Sequence, residues 1–421
     1  MSFSHRESSV TQQLHQHIFS NGLTLLFERM DHVRSASLYF MAPAGFTYEA
    51  NDRLGQAGIL AEMLTRGAGN RDSKALSLAL DNLGVDRGES CGAFNVTLSA
   101  GTLARNLPAA LVLYADMIRR PWLPDDELAP AQELSLQDLQ GLEDSPSEIC
   151  LLELRRRYYP SPYNRNQYGT QECIEAITPQ DVRDFYAARF RPRGSILSVA
   201  GNCNWDELKA LVGELFGDWE GTPEPAVVPE PHRPTSNHIL KETQQIQISL
   251  AFPSASFGTA DFYPARGAIS VLSGGMSARL FTEVREKRGL CYSVSASYDT
   301  VKDRAAVVCY AGTGPDRAQQ TLDVMIGELR RLKEGIELEE VDRVRAGLKT
   351  SLIMQQESTS SRASSMATDW FYLQRVRRID EVQTAIDALT PTSILGYLER
   401  FPARDFTVVT LGPTPLITPA E

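Results

Sequence analysis

A chain of 421 residues is more than one ordinary hydrophobic core organises, so two or three domains are expected. With 42% hydrophobic and 23% charged residues, it is neither a disordered nor a collagen-like sequence. Its net charge of −11 repels phosphate backbones, and no Lys/Arg run interleaved with aromatics offsets that field, which argues against nucleic-acid binding.

The N-terminal stretch "MSFSHRESSVTQQLHQHIFSNG" has no apolar run behind its basic residues, so no signal peptide or anchor is expected. No stretch of eighteen apolar residues follows, which predicts a cytoplasmic protein without a membrane span. From there "HIFSNGLTLLFERM" and "RSASLYFMAPAGFTYE" alternate as strands do. The next stretch, "GQAGILAEMLTRG" (55–67), reads as a helix with Ile59, Leu60, Met63 and Leu64 on its apolar face and Gly67 closing it. Gly84 ends a further helix before the strand "AFNVTLSAG", and "LARNLPAALVLYADMIRR" and "GSILSVAGNC" supply a helix and a strand.

Five prolines fall within "GTPEPAVVPEPHRPTSNH" (221–238), which forbids continued helix or central strand. This predicts a domain over residues 1–221, a Pro-rich linker over 222–236 and a second domain over 237–421. The second half repeats the order of the first, as an internal duplication does. Strands in "HILKETQQIQISLAFPSASF" are followed by helix, glycine turn and helix in "PARGAISVLSGGMSARLFTEVREKRG". Gly289 matches Gly84, "CYSVSASYD" matches the first-half strand, and "GPDRAQQTLDVMIGELRRLKEG" and "RDFTVVTLGP" complete the parallel. Two α+β domains with antiparallel or mixed sheets are expected, with helix exceeding strand.

The six cysteines, at 91, 150, 173, 203, 291 and 309, have no C-x-x-C spacing and read as reduced, mostly apolar fillers. The six histidines, His5, His15, His17, His32, His232 and His238, include no pair four apart, so no H-x-x-x-H helix face exists. His15 and His17 share one strand face, for which a structural or solvated role is expected. "GGMSARL" (274–280) lacks the G-x-S-x-G pattern, and no His follows His238 to complete a triad. Nor is it a phosphate loop of the G-x-x-x-x-G-K-[ST] kind. It reads as a glycine-rich loop whose Ser277 caps the next helix.

The whole string "GGMSARLFTEVREKRGLCYSVSASY" (274–298) closely resembles the second-domain signature of the M16 family of zinc peptidases, which contains pitrilysin, insulin-degrading enzyme and the mitochondrial processing peptidase. Supporting strings run along almost the whole chain: "FSNGLTLLFERM", "GQAGILAEMLTRGAGNR", "LEDSP", "YYPSPYNRNQYGT", "IEAITPQDVRDFYAARFRP" and "VAGNCNWDELKALVGELFGDW". Their order is that of the half-length members. The resemblance implies two homologous α+β domains of the M16 metallopeptidase (LuxS/MPP-like) type, in subunits that pair face to face around a peptide-holding chamber.

In that family a first-domain helix carries H-x-x-E-H: two His bind zinc and the Glu takes a proton from the zinc-bound water. Laid over the usual "GLAHFLEHMLFKG", this chain puts Gly58 and Glu62 at the His positions and Ala61 at the base. The third ligand falls at Asp138. No cofactor is therefore expected in this chain, with zinc in a partner subunit. Glu62 and Asp138 alone would make a weak oxygen cage, since Mg²⁺ and Ca²⁺ recruit about six or more oxygens. The family's second-domain Arg and Tyr, which reach across the chamber to the zinc site, match Arg285 and Tyr292, with Gly274, Gly275 and Ser277 as a substrate-side loop. Those two side chains suit donation to substrate carbonyls and to a developing oxyanion.

The implied function is a non-catalytic subunit that binds extended peptide and supplies Arg285 and Tyr292 in trans to a homologous H-x-x-E-H partner. A non-catalytic scaffold or peptide-binding homodimer, and a hydrolase using Glu62 and Asp138, are the alternatives.

Overall fold

The computed structural model describes residues 12–222 and 227–419. Residues 1–11, which include His5, and residues 223–226 of the expected linker lie outside the described residues. In the first half the strands are β1 (Gln13–Ile18), β2 (Thr24–Arg29), β3 (Ser35–Ala42), a short pair β4 (Gly67–Ala68) and β5 (Arg71–Asp72), then β6 (Asp86–Cys91), β7 (Val96–Leu103) and β8 (Ile196–Gly201). In the second half they are β9 (Asn237–Leu240), β10 (Ile246–Pro253), β11 (Cys291–Val301), β12 (Arg304–Thr313) and β13 (Thr407–Gly412).

Apart from the two-stranded β4-β5 pair, these form two mixed sheets, ordered β1-β2-β8-β3-β7-β6 and β11-β12-β10-β13-β9. Each contains one parallel pairing, β2 with β8 and β13 with β9, and is otherwise antiparallel. The expected α+β architecture is thus the observed one. Residue type explains the order of burial: β8 (ILSVAG) and β13 (TVVTLG) are buried throughout at interior positions, while β1 and β6, rich in polar residues, form the edges of the first sheet.

The duplication extends to backbone detail. Gly84 and Gly289 both take φ +60, the left-handed turn that delivers each chain from helix to strand. The histidines of β1 are structural: His15 stacks on Trp205 with ring centroids 5.0 Å apart, and His17 meets Phe19 edge-on at 4.6 Å.

Two helices cross between the halves. Pro146–Tyr158, from the first half, lies on β10 and β13 of the second sheet, whereas Thr359–Leu373, from the second half, lies on β2, β3 and β8 of the first. Polar contacts fix both exchanges. Arg362 donates to the Glu28 carboxylate of β2 at 2.5 and 2.8 Å, and the hydroxyls of Ser37 and Thr359 are 2.8 Å apart. On the other side the Cys150 thiol is 3.1 Å from the Ser249 hydroxyl. Around them a shared apolar cluster joins Leu26, Met41 and Ile196 to Ala363, Met366 and Trp370. The exchange buries apolar faces from both halves against each other, which favours a fixed relation between the two sheets.

Candidate functional site

The helix expected over 55–67 is present as Gln56–Met63, and Ile59, Leu60, Met63 and Leu64 are all buried. Gly67 does not cap it. Leu64 occupies the C-cap, and Gly67, at φ +114, opens β4 instead, because its backbone runs against Trp122 and accepts that residue's N–H at 2.9 Å. The N-terminus begins at Gly55 in the left-handed region, φ 96. No residue of the helix caps it. Glu49 does, from the preceding loop: its Oε1 accepts the Gly55 and Ala57 N–H groups at 3.2 and 2.8 Å.

The second carboxyl oxygen of Glu49 is buried without a hydrogen-bond partner. Burial pushes the carboxyl up to about 7, against the opposing pull of the Ala57 and Gly55 N–H groups and the Arg165 charge. Sequence reasoning missed this residue, because a lone Glu eight residues before Ala57 has no recognised capping spacing.

The degenerate positions are now placed. Gly58 leaves room for a side chain: an added Cβ would meet only the Gln167 carbonyl oxygen, at 3.5 Å. Ala61 is buried. Glu62 is held by Arg66, which donates to Oε1 at 2.5 and 3.1 Å and reaches Glu127 Oε2 at 2.9 Å. Asp138, on the Leu128–Gly141 helix, acts on the Tyr168 phenol, which burial, the hydrogen bond to Glu148 and the nearby acidic charges push upward. Beside Glu62, the Glu89 carboxyl of β6 is raised by burial and by the Glu62 charge.

These residues do not fit a zinc ion. Gly58 and Ala61 have no donor atom, and Glu62 is engaged by a cation. Among the described residues no group of three or more His, Cys, Asp or Glu is gathered to hold a metal.

Arg285 and Tyr292 are brought together. The guanidinium carbon of Arg285 lies 4.9 Å from the Tyr292 ring centroid and 4.8 Å from that of Phe281. Both residues stand on irregular backbone. Arg285 is in a π-helical turn, Phe281–Glu286, closed by the Lys287 N–H donating to the Thr282 carbonyl at 2.9 Å. Tyr292 sits at a register break in β11, where Cys291 pairs with Thr313 and Ser293 with Gly312. The extra residue of the bulge turns its ring out of the ladder, leaving Tyr292 78% exposed.

Local charge favours the same site. Glu283 neutralises Lys287 and Arg288 at 2.6 and 2.7 Å, yet Arg285 makes no ion pair among the described residues. Its cation therefore stays available. The Gly274–Ala278 loop precedes this turn; it is closed by the Ala278 N–H donating to the Gly275 carbonyl at 3.0 Å, and Ser277 caps no helix. The helical turn that follows is widened to π geometry, and its N-cap is Leu280 rather than Ser277.

Two mixed sheets with exchanged helices carry a first-half helix without metal-binding residues at Gly58 and Ala61 and, in the second half, an exposed Arg–Tyr pair. Residues 176–348 match the family described as peptidase M16 inactive domain. A Rickettsia bellii protein described as an uncharacterized zinc protease is 24% identical over 94% of this chain and 97% of its own length. A Bacillus subtilis protein of the same description is 25% identical over the same shares. Among solved structures, a peptidase M16 inactive domain from Pseudomonas fluorescens superposes with a TM-score of 0.88 at 22% identity, covering 97% of this chain and 100% of that one. A Helicobacter pylori protease also reaches 0.88, at 18% identity, over 96% and 100%. The chain is thus similar over nearly its whole length to M16-type peptidase-like proteins and shares their fold. Among the described residues no helix is long and apolar enough to cross a membrane.

Proposed function

We propose that this chain is the non-catalytic subunit of a two-chain zinc peptidase, binding extended peptide and presenting Arg285 and Tyr292 to a homologous partner that carries H-x-x-E-H and the zinc. The observation that carries this reading is the Arg285–Tyr292 pair: a cation without a carboxylate, stacked on an exposed phenol, and both held on a π turn and a bulge. Such backbone irregularities are retained where a side chain must be aimed. Peptide binding is supported by β6, an edge strand whose outer N–H and C=O groups suit main-chain pairing with an extended segment. A large cavity of about 540 Å³ between the halves adjoins it at Ser90 and Gly92.

Hydrolysis by Glu62 and Asp138 is disfavoured by the Glu62–Arg66 ion pair. The test is reconstitution with an H-x-x-E-H homologue encoded in the same genome. Peptidase activity that requires this chain and falls at least tenfold with Arg285→Ala or Tyr292→Phe supports the proposal. Full activity with both variants overturns it. A homodimer that binds peptide and never exchanges with such a homologue would instead establish the scaffold reading.

A further inference from the structure

A second cavity, of about 260 Å³, lies between the Gly274–Ala278 loop and the helix Leu338–Glu357. Its floor is one face of that helix, formed by Glu340, Val344, Gly347 and Ser351, whose spacing of three and four residues places them in one row. Arg266 and Arg343 stand in its wall.

The charge here runs against that of the whole chain. Arg266 and Arg343 make no ion pair among the described residues. Glu340, the one acid in the lining, is occupied: Arg279 grips both its oxygens at 2.7 and 2.8 Å, and the Glu337 N–H adds a third bond at 2.9 Å. Two arginines without an ion pair therefore line one pocket in a protein of net charge −11, Arg343 sharing with Arg279 the field of Glu340. Neutral donors supplement them. The hydroxyls of Ser270, Ser277 and Ser351 belong to residues of the lining, and the Ser277 N–H donates to no backbone carbonyl.

Gly347 keeps the floor open: an added Cβ there would meet nothing within 4 Å. What a side chain at 347 would do is fill the cavity.

We propose that this cavity binds an oxyanion, the carboxylate or phosphate group of a small ligand or peptide, between Arg266 and Arg343 over the open floor at Gly347. Guanidinium groups with adjacent hydroxyl and amide donors match the planar or tetrahedral oxygens of such a group. The site does not depend on the two-chain reading above, because it uses neither Arg285 nor Tyr292 and needs no partner.

The test is isothermal titration calorimetry on the full chain alone, at fixed low ionic strength. Inorganic phosphate is titrated in one arm, and in the other a short peptide with a free C-terminal carboxylate and its C-terminal amide. Saturable binding of phosphate, or of the free peptide but not the amide, is expected, and which arm responds assigns the source. Arg343→Gln and Arg266→Gln, both at exposed positions, are expected to weaken binding at least tenfold each. Gly347→Leu is expected to abolish it, with unchanged circular dichroism. No saturable heat in either arm, or undiminished affinity in the two arginine variants, overturns the proposal.

Discussion

The Arg362 guanidinium and the Glu28 carboxylate form a buried ion pair at 2.5 Å, joining residues 334 positions apart across the two halves of the chain. Both side chains are more than nine-tenths buried. This contact holds the helix Thr359–Leu373, from the second half, on the sheet of the first.

Removing one partner leaves an uncompensated charge in the core. Arg362→Met is expected to destabilise the chain by about 3–5 kcal/mol, whereas Glu28→Leu with Arg362→Met recovers most of that loss, because an apolar pair carries no desolvation penalty. Thermal and urea unfolding of the two variants checks this. A loss below about 1 kcal/mol for Arg362→Met would show that the pair is not buried in solution.

Glu49 makes stability depend on pH. Its carboxyl ionises near 7 in the folded chain, against an ordinary value of 4.5, so the folded state holds a proton that the unfolded state has released. The contribution is therefore fully present below 4.5 and is lost as pH rises through about 7. By linkage it is on the order of 3 kcal/mol. Glu49→Gln keeps an acceptor for the Gly55 and Ala57 N–H groups and removes the titration. The melting temperature of the native chain is expected to fall relative to that variant between pH 5 and 7.5, and parallel profiles would refute the assignment.

Gly289 sets the distance between Arg285 and Tyr292. It takes φ +60, and a Cβ there would meet nothing within 4 Å, so Gly289→Ala incurs only the left-handed backbone cost of about 1 kcal/mol. The expected outcome is a small drop in melting temperature with a larger fall in reconstituted peptidase activity. An Asn at 289, which tolerates this conformation better, is expected to retain more of both.

Gly58 has no structural need to be glycine. Gly58→Ala places a methyl in ordinary contact with the Gln167 carbonyl and raises helix propensity, for an expected gain of about 0.5–1 kcal/mol. Differential scanning calorimetry reads the shift. A loss of stability would mean that the helix is closer to its neighbours than the 3.5 Å contact indicates.

Much of this protein is legible along the chain. Ile59, Leu60, Met63 and Leu64 announce a buried helix face by spacing alone, because periodicity is a local property, whereas the positions of Gly58, Ala61 and Glu62 take their meaning only from the family resemblance. Spacing likewise puts Arg285 and Tyr292 seven residues apart on either side of Gly289.

What spacing does not carry is closure in three dimensions. Gly67 looks like a helix stop but serves a strand, since Trp122 decides its conformation. Ser277 looks like a cap and is not one: the π turn after it has Leu280 at its N-cap. Glu49 acquires its cap, its burial and its shifted carboxyl only when its loop folds over the helix start. The exchange of helices between the sheets, with Glu28 meeting Arg362, has no signal in either segment read separately. Sequence determined the type of each element and which side chains stand on the Gln56–Met63 helix, for these depend on residues near one another in the chain. Tertiary structure alone decided which distant groups share a desolvated contact, since that free energy exists only once both have left water.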